Sequence, residues 1–203
     1  MIDTLIFDLG NVVITNDWHD NNEIKFQEFS IYYGIDYDAM EHGWNAAWPK
    51  FSIGEMTEDE FWRKFLTKAG ANKIDIEKAK ELWRVYQKPI DGMFELLKRL
   101  KNKYKLGALT KTGREWLDFK RSKFNLDNYF ETIVSSGYFG KTKPDKKVYE
   151  IVLAKLDSVS NESVFIDDKE KFLIPARKLG MTTIKFTNKQ GLIKELENLG
   201  LII

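Results

Sequence analysis

Five short apolar runs of strand length are spaced along the chain, and from Pro89 onward they alternate with stretches of helical periodicity. The runs are Thr4 to Asp8, Leu106 to Thr110, Thr132 to Ser135, Ser163 to Asp167 and Thr182 to Phe186. Between them, Met93, Leu96, Leu97 and Leu100 share one helical face, and Val148, Ile151, Val152 and Leu156 share another. A further helix ends near Gly180, and a last one spans about Lys189 to Leu199. Strands separated by helices need crossover connections, so this order predicts an α/β fold with a parallel sheet covered on both faces.

The segment from about Asn16 to Lys88 has a different texture. It is helical in period and rich in aromatic residues, with Trp44, Trp48, Trp62 and Trp83 inside it. Thr57 and Glu60 have the spacing of a capping box, ahead of an apolar face made by Phe61, Trp62, Phe65, Leu66 and Ala69; Asp75 is placed to start the next helix. Aromatic stripes at this spacing are read as packing between helices rather than as a cofactor box. A chain of 203 residues can bury one sizeable core and a smaller lobe beside it. The expected division is a core of residues 1–15 and 89–203, with residues 16–88 inserted as a helical cap subdomain.

Composition narrows the function. Thirty-two basic against thirty-one acidic residues leave a formal net charge of +1, which gives no support to a nucleic-acid or membrane-surface partner. The chain has no Cys, so disulfides, thiolate metal sites and Cys nucleophiles are excluded. The opening residues lack the pattern of a secretion signal, and no stretch reaches the roughly 20 apolar residues of a membrane span, so a cytoplasmic location is expected.

Ligands of an open parallel sheet bind at the carboxyl ends of its strands. Asp8 closes the first apolar run, Thr110 the second, and Asp167 with Asp168 a later one; Lys143 lies in a loop before a helix. Each has an ordinary explanation when taken singly. Asp8 could be a turn residue, Thr110 a helix cap, Lys143 a solvated charge and the Asp pair a helix N-terminal cap. Together, each at a strand end, they point to chemistry. Three carboxylates at one edge repel each other unless a hard divalent cation neutralises them, and all-oxygen ligation favours Mg²⁺. Lys143 and Thr110 would then hold phosphate oxygens while Asp8 attacks phosphorus in line.

These stretches resemble the haloacid dehalogenase superfamily. Phe7-Asp-Leu-Gly-Asn-Val-Val13 is similar to its first motif, Leu109-Thr110 to the second, Lys143-Pro144 to the third and Phe165-Ile-Asp-Asp168 to the fourth. The resemblance implies a Rossmann-like core, a helical cap inserted after the first strand, and a hydrolase acting on a small phosphorylated metabolite. It also implies that Asp8 is the nucleophile and that Mg²⁺ is held by Asp8, the backbone carbonyl of Gly10, Asp168 and Asp167. The form of the first motif is similar to a branch that acts on sugar phosphates.

Two positions depart from the family pattern. Gly10 stands where phosphatases of this family carry a second Asp as general acid and base, a role worth about 10² to 10⁴ in rate. Lys111 stands where Asn is usual, and either meets a substrate anion or faces solvent. Asp17, His19 and Asp20 follow the first strand, where one of them could replace the missing acid; His19, whose ordinary pKa is near neutrality, is the foremost of these and is also a candidate substrate-binding residue. Gly10 keeps two alternatives open, a metal-independent 2-haloacid dehalogenase and a catalytically weak or non-catalytic phosphate-binding protein. Oligomeric state is not readable from these residues.

Overall fold

The structure, a computed structural model, describes residues 1–15 and 23–203. Among these residues β1 (Thr4–Phe7), β2 (Lys105–Thr110), β3 (Thr132–Ser135), β4 (Ser163–Asp167) and β5 (Thr182–Lys185) form one sheet. Its order is β3-β2-β1-β4-β5, and every neighbouring pair is parallel. The expected strands are therefore present, with ends that differ by a residue at most. Asp8 is the first residue beyond β1 rather than its last.

Central β1 is buried along its whole length, as a run of Thr, Leu, Ile and Phe requires. Its side chains alternate between two apolar layers. Leu5 and Phe7 join the cluster built with Leu97 of α5 (Met93–Leu100) and Leu196 of α10 (Lys189–Asn198). Ile6 faces the other way, into a cluster with Val152 of α8 (Lys146–Lys155) and Leu173 of α9 (Glu170–Lys178). Helices thus cover both faces, the doubly wound arrangement that alternating strands and helices predict. A short helix, α7 (Ser136–Phe139), follows β3 directly and was not foreseen from the periodicity.

Between β1 and α5 the chain forms α1 (Glu23–Tyr33), α2 (Tyr37–Phe51), α3 (Glu58–Lys68) and α4 (Ile76–Val85). The Thr57–Glu60 capping box is present, and Asp75 caps α4 by accepting from the Lys78 amide at 3.1 Å. The two connections to this helical stretch run side by side. The Thr15 amide donates to Lys88 O at 2.8 Å, and the Ile90 amide to Val13 O at 2.9 Å.

A third apolar cluster lies within these helices, built on Phe29, Phe51, Phe61, Trp62 and Trp83. Trp116 joins it from α6 (Arg114–Phe124), the helix that follows β2. The Trp116 ring stacks on Trp83 at 4.0 Å and meets Phe51 edge-on at 4.7 Å. Its indole N–H donates to buried Glu58 at 3.0 Å, and Glu58 also takes a 2.7 Å hydrogen bond from Arg84. Gly113 lets this contact close, since a Cβ there would lie 2.4 Å from the Phe51 ring. No helix among the described residues is long and apolar enough to cross a membrane.

Trp116 therefore carries both packing and a buried hydrogen bond between α6 and the inserted helices. Trp116→Ala should cost about 3–5 kcal/mol of stability, since it leaves a large cavity and removes one of the buried donors to Glu58. Urea denaturation checks this, and a loss below about 1 kcal/mol would show that the aromatic cluster closes without it.

Candidate active site

The parallel register of β1 and β4 brings Asp8 level with Asp167. Phe7 pairs with Ile166, and the Asp8 amide donates to Ile166 O at 2.8 Å. Thr110 ends β2 on the other side of β1. The site lies where strand connections diverge to opposite sides of β1, the position at which open α/β sheets leave a crevice.

Carboxylate oxygens of Asp8, Asp167 and Asp168 all lie within 4.8 Å of one another. Asp167 is fully buried and Asp8 nearly so. The Asp8 carboxylate accepts from the Leu9 amide at 2.7 Å, and that of Asp167 from the Lys169 amide at 2.8 Å, which fixes both rotamers. Lys143 reaches in from the loop before α8. Its buried ammonium lies 2.5 Å from Asp167 Oδ2 and 3.2 Å from Asp8 Oδ2.

The charges do not balance. Burial and the neighbouring Asp8 charge push the Asp167 carboxyl up to about 7, against the pull of Lys143. Burial and Asp8 also raise Asp168. Lys143 resists deprotonation because Asp8 and Asp167 outweigh the effect of its own burial. One ammonium among three converging acids leaves a surplus of negative charge. A donor set made only of oxygens fits a hard divalent cation such as Mg²⁺.

Asp8, Lys143 and Asp168 open onto a cavity of about 210 Å³, with Trp44 and Trp48 from the inserted helices on its wall. Gly10 and Thr110 line it, and Thr110 is not an N-cap, since Gly113 takes that position on α6. Asn11 turns the chain beyond β1 in the left-handed region, with φ of 57°. Lys111 lines the cavity too, its ammonium 5.8 Å from the Trp48 ring centre. Burial lowers its pKa first, and Lys171, Lys169 and Lys143 add to the effect. His19, with Asp17 and Asp20, lies outside the described residues.

Several cavity residues were missed in the sequence, Thr112, Lys120, Lys169 and Lys171 among them. Lys120 left a signal. It stands four residues after Trp116, on the face of α6 that buries Trp116 and Leu117, where a solvated lysine does not belong.

The family model for haloacid dehalogenase-like hydrolases matches residues 49–186, a span that includes Thr110, Lys143, Asp167 and Asp168 but not Asp8. The chain is 27% identical over 199 residues to flavin mononucleotide hydrolase 1 of Arabidopsis thaliana, covering 97% of this chain and 77% of that protein. In fold it is similar to a HAD-like family hydrolase from Porphyromonas gingivalis, with a TM-score of 0.81, 23% identity and full coverage of both chains. A HAD family enzyme from Bacteroides thetaiotaomicron, solved with magnesium and inorganic phosphate, superposes with a TM-score of 0.77 at 21% identity, covering 93% of this chain and 96% of that one.

The surplus of acids makes the stability of Lys143→Met depend on pH. A carboxyl raised to about 7 keeps a proton that the unfolded chain has already released from about pH 4 upward, so folding stability falls as pH rises through that window. Without the ammonium the fall is steeper. In chelator, Lys143→Met should lose about 3 kcal/mol relative to the parent at pH 7.5 and clearly less at pH 5. Urea denaturation at both pH values checks this, and an equal loss at both would remove the electrostatic cause.

Proposed function

Since the chain belongs to the haloacid dehalogenase-like hydrolase family, we propose that it is a Mg²⁺-dependent phosphatase that cleaves a small phosphate monoester through an aspartyl phosphate on Asp8. The observation that carries this reading is the convergence of Asp8, Asp167 and Asp168 within 4.8 Å, with Lys143 bridging two of them. The flavin mononucleotide hydrolase of Arabidopsis and the magnesium and phosphate in the Bacteroides enzyme support it. We take residues 1–15 and 89–203 as the catalytic core and residues 16–88 as a cap that closes over the substrate.

Mg²⁺ would be held by Asp8, the Gly10 carbonyl, Asp168 and Asp167, and when bound it supplies positive charge to the phosphate oxygens and to the crowded carboxylates. The chain's own residues do the rest. The Leu9 amide holds one Asp8 oxygen at 2.7 Å, which orients the carboxylate for attack along the axis of the departing group. An Asp8 oxygen forms the new bond to phosphorus as the ester P–O bond breaks. Lys143 and the Thr110 hydroxyl hold equatorial oxygens and offset their charge. Water then attacks the aspartyl phosphate, releasing phosphate and restoring Asp8. Lys111 and His19 are assigned to the substrate.

Gly10 offers no proton to the departing oxygen, so leaving groups of low pKa suit this site best. A sugar phosphate in which phosphate is attached at the anomeric carbon would meet that requirement. The acidic trio weighs against dehalogenation, because attack on a halide-bearing carbon needs no cation.

Three assays test the proposal. With Mg²⁺, p-nitrophenyl phosphate should be hydrolysed, chelation should abolish turnover, and Asp8→Asn should lower kcat by at least about 10³. Gly10→Asp should raise kcat on alkyl phosphates by about tenfold or more relative to p-nitrophenyl phosphate. Turnover that survives both chelation and Asp8→Asn would overturn the mechanism.

A further inference from the structure

Lys120 is almost fully buried, at 3% exposure, and lines the same cavity as Asp8. Among the described residues its ammonium has no carboxylate partner and no hydrogen bond. Its one close neighbour of note is the Trp83 ring, 5.6 Å from its nitrogen to the ring centre. Asp8 is near enough to favour its charge, yet Asp8 is already engaged by Lys143 at 3.2 Å. Burial lowers the Lys120 pKa to about 8, with Asp8 opposing, so the group is still mainly cationic at neutral pH. A buried cation without an anion is costly to keep.

The same cavity holds a second unsatisfied group. The Thr112 hydroxyl is buried and has no hydrogen-bond partner. Lys111 adds another ammonium, leaning on Trp48 as Lys120 leans on Trp83. Both rings belong to the inserted helices, and Trp48 lines the cavity itself. The cavity is also rich in lysine as a whole. Lys111, Lys120, Lys143, Lys169 and Lys171 line it, against Asp8 and Asp168, with Asp167 paired to Lys143 behind them. A phosphate dianion alone offsets the excess of lysines over these acids, and a bound divalent cation would restore a positive excess for a second anion to meet.

We infer that Lys120, with Thr112 and Lys111, forms a second anion subsite, and that the substrate is a phosphate monoester whose leaving group carries another anionic group such as a carboxylate. This rests on the phosphatase reading for the end that reacts. Asp8, Thr110 and Lys143 hold the phosphoryl group at the strand ends, and the leaving group extends toward Trp48, Thr112 and Lys120. There a carboxylate would receive the Lys120 ammonium and the Thr112 hydroxyl as charge-assisted donors. Lys120 on this account selects the substrate and takes no part in bond making.

Binding to the Asp8→Asn protein in Mg²⁺ buffer tests the inference without turnover. Calorimetry would compare two matched pairs of different length, phosphoglycolate against ethyl phosphate and 3-phosphoglycerate against glycerol 3-phosphate. In at least one pair the carboxylate compound should bind about tenfold tighter or more. Lys120→Met should reduce that preference to less than about threefold, and Lys120→Arg should keep part of it. Equal affinity within both pairs, or a preference that survives Lys120→Met, would overturn the subsite. Should the parent enzyme hydrolyse neither these four compounds nor p-nitrophenyl phosphate while the Lys120-dependent preference holds, the phosphatase reading fails and the subsite stands.

Discussion

The site depends on one arrangement of charge, a buried ammonium shared between Asp167 and Asp8 beside a third carboxylate. Parallel pairing of β1 with β4 forces these acids together, because the register that satisfies the backbone also makes their strand ends level. Burial strips Asp167 and Asp168 of water, and the neighbouring Asp8 charge raises the energy of their ionised forms further. Lys143 offsets part of this and is held by geometry as much as by charge, with the rings of Phe172 and Phe165 4.9 and 5.5 Å from its nitrogen. The remaining imbalance is what a cation would relieve under the proposed function.

Such a site needs a scaffold that tolerates the strain. β1 supplies it by being buried on both faces, with Leu5 and Phe7 in one apolar layer and Ile6 in the other. The inserted helices are tied to this scaffold through α6. Trp116 fills their aromatic cluster, and Lys120, one turn later, reaches the cavity. The neighbouring loops add polar ties, since Ser136 donates to Ser52 O at 2.5 Å and accepts from the Thr112 amide at 3.1 Å. Packing of the insertion and the shape of the cavity beside Asp8 are therefore set by the same helix.

Much of this was legible from residue order because the relevant signals are local. Strand-length apolar runs and turn chemistry are read over a few residues, so β3 and β4 and the Thr57 and Asp75 caps fall where expected. Asp8, Thr110, Lys143 and the acidic pair were found because each ends a strand or precedes a helix. Thr112 was not, since what marks it is the absence of a partner, and that shows only when the elements around it are assembled; Lys120 was passed over although its place on the apolar face of α6 was a local signal. The α7 turn was missed for a related reason: four residues are too few to display a helical period.

The central claim is that the acids at the ends of β1 and β4 form a cation site. Calorimetric titration of Mg²⁺ into the parent protein and into Asp168→Ala tests it directly. The account predicts uptake of one ion per chain by the parent and affinity at least about tenfold weaker in the variant. No uptake by the parent, or equal affinity in the two proteins, would contradict it.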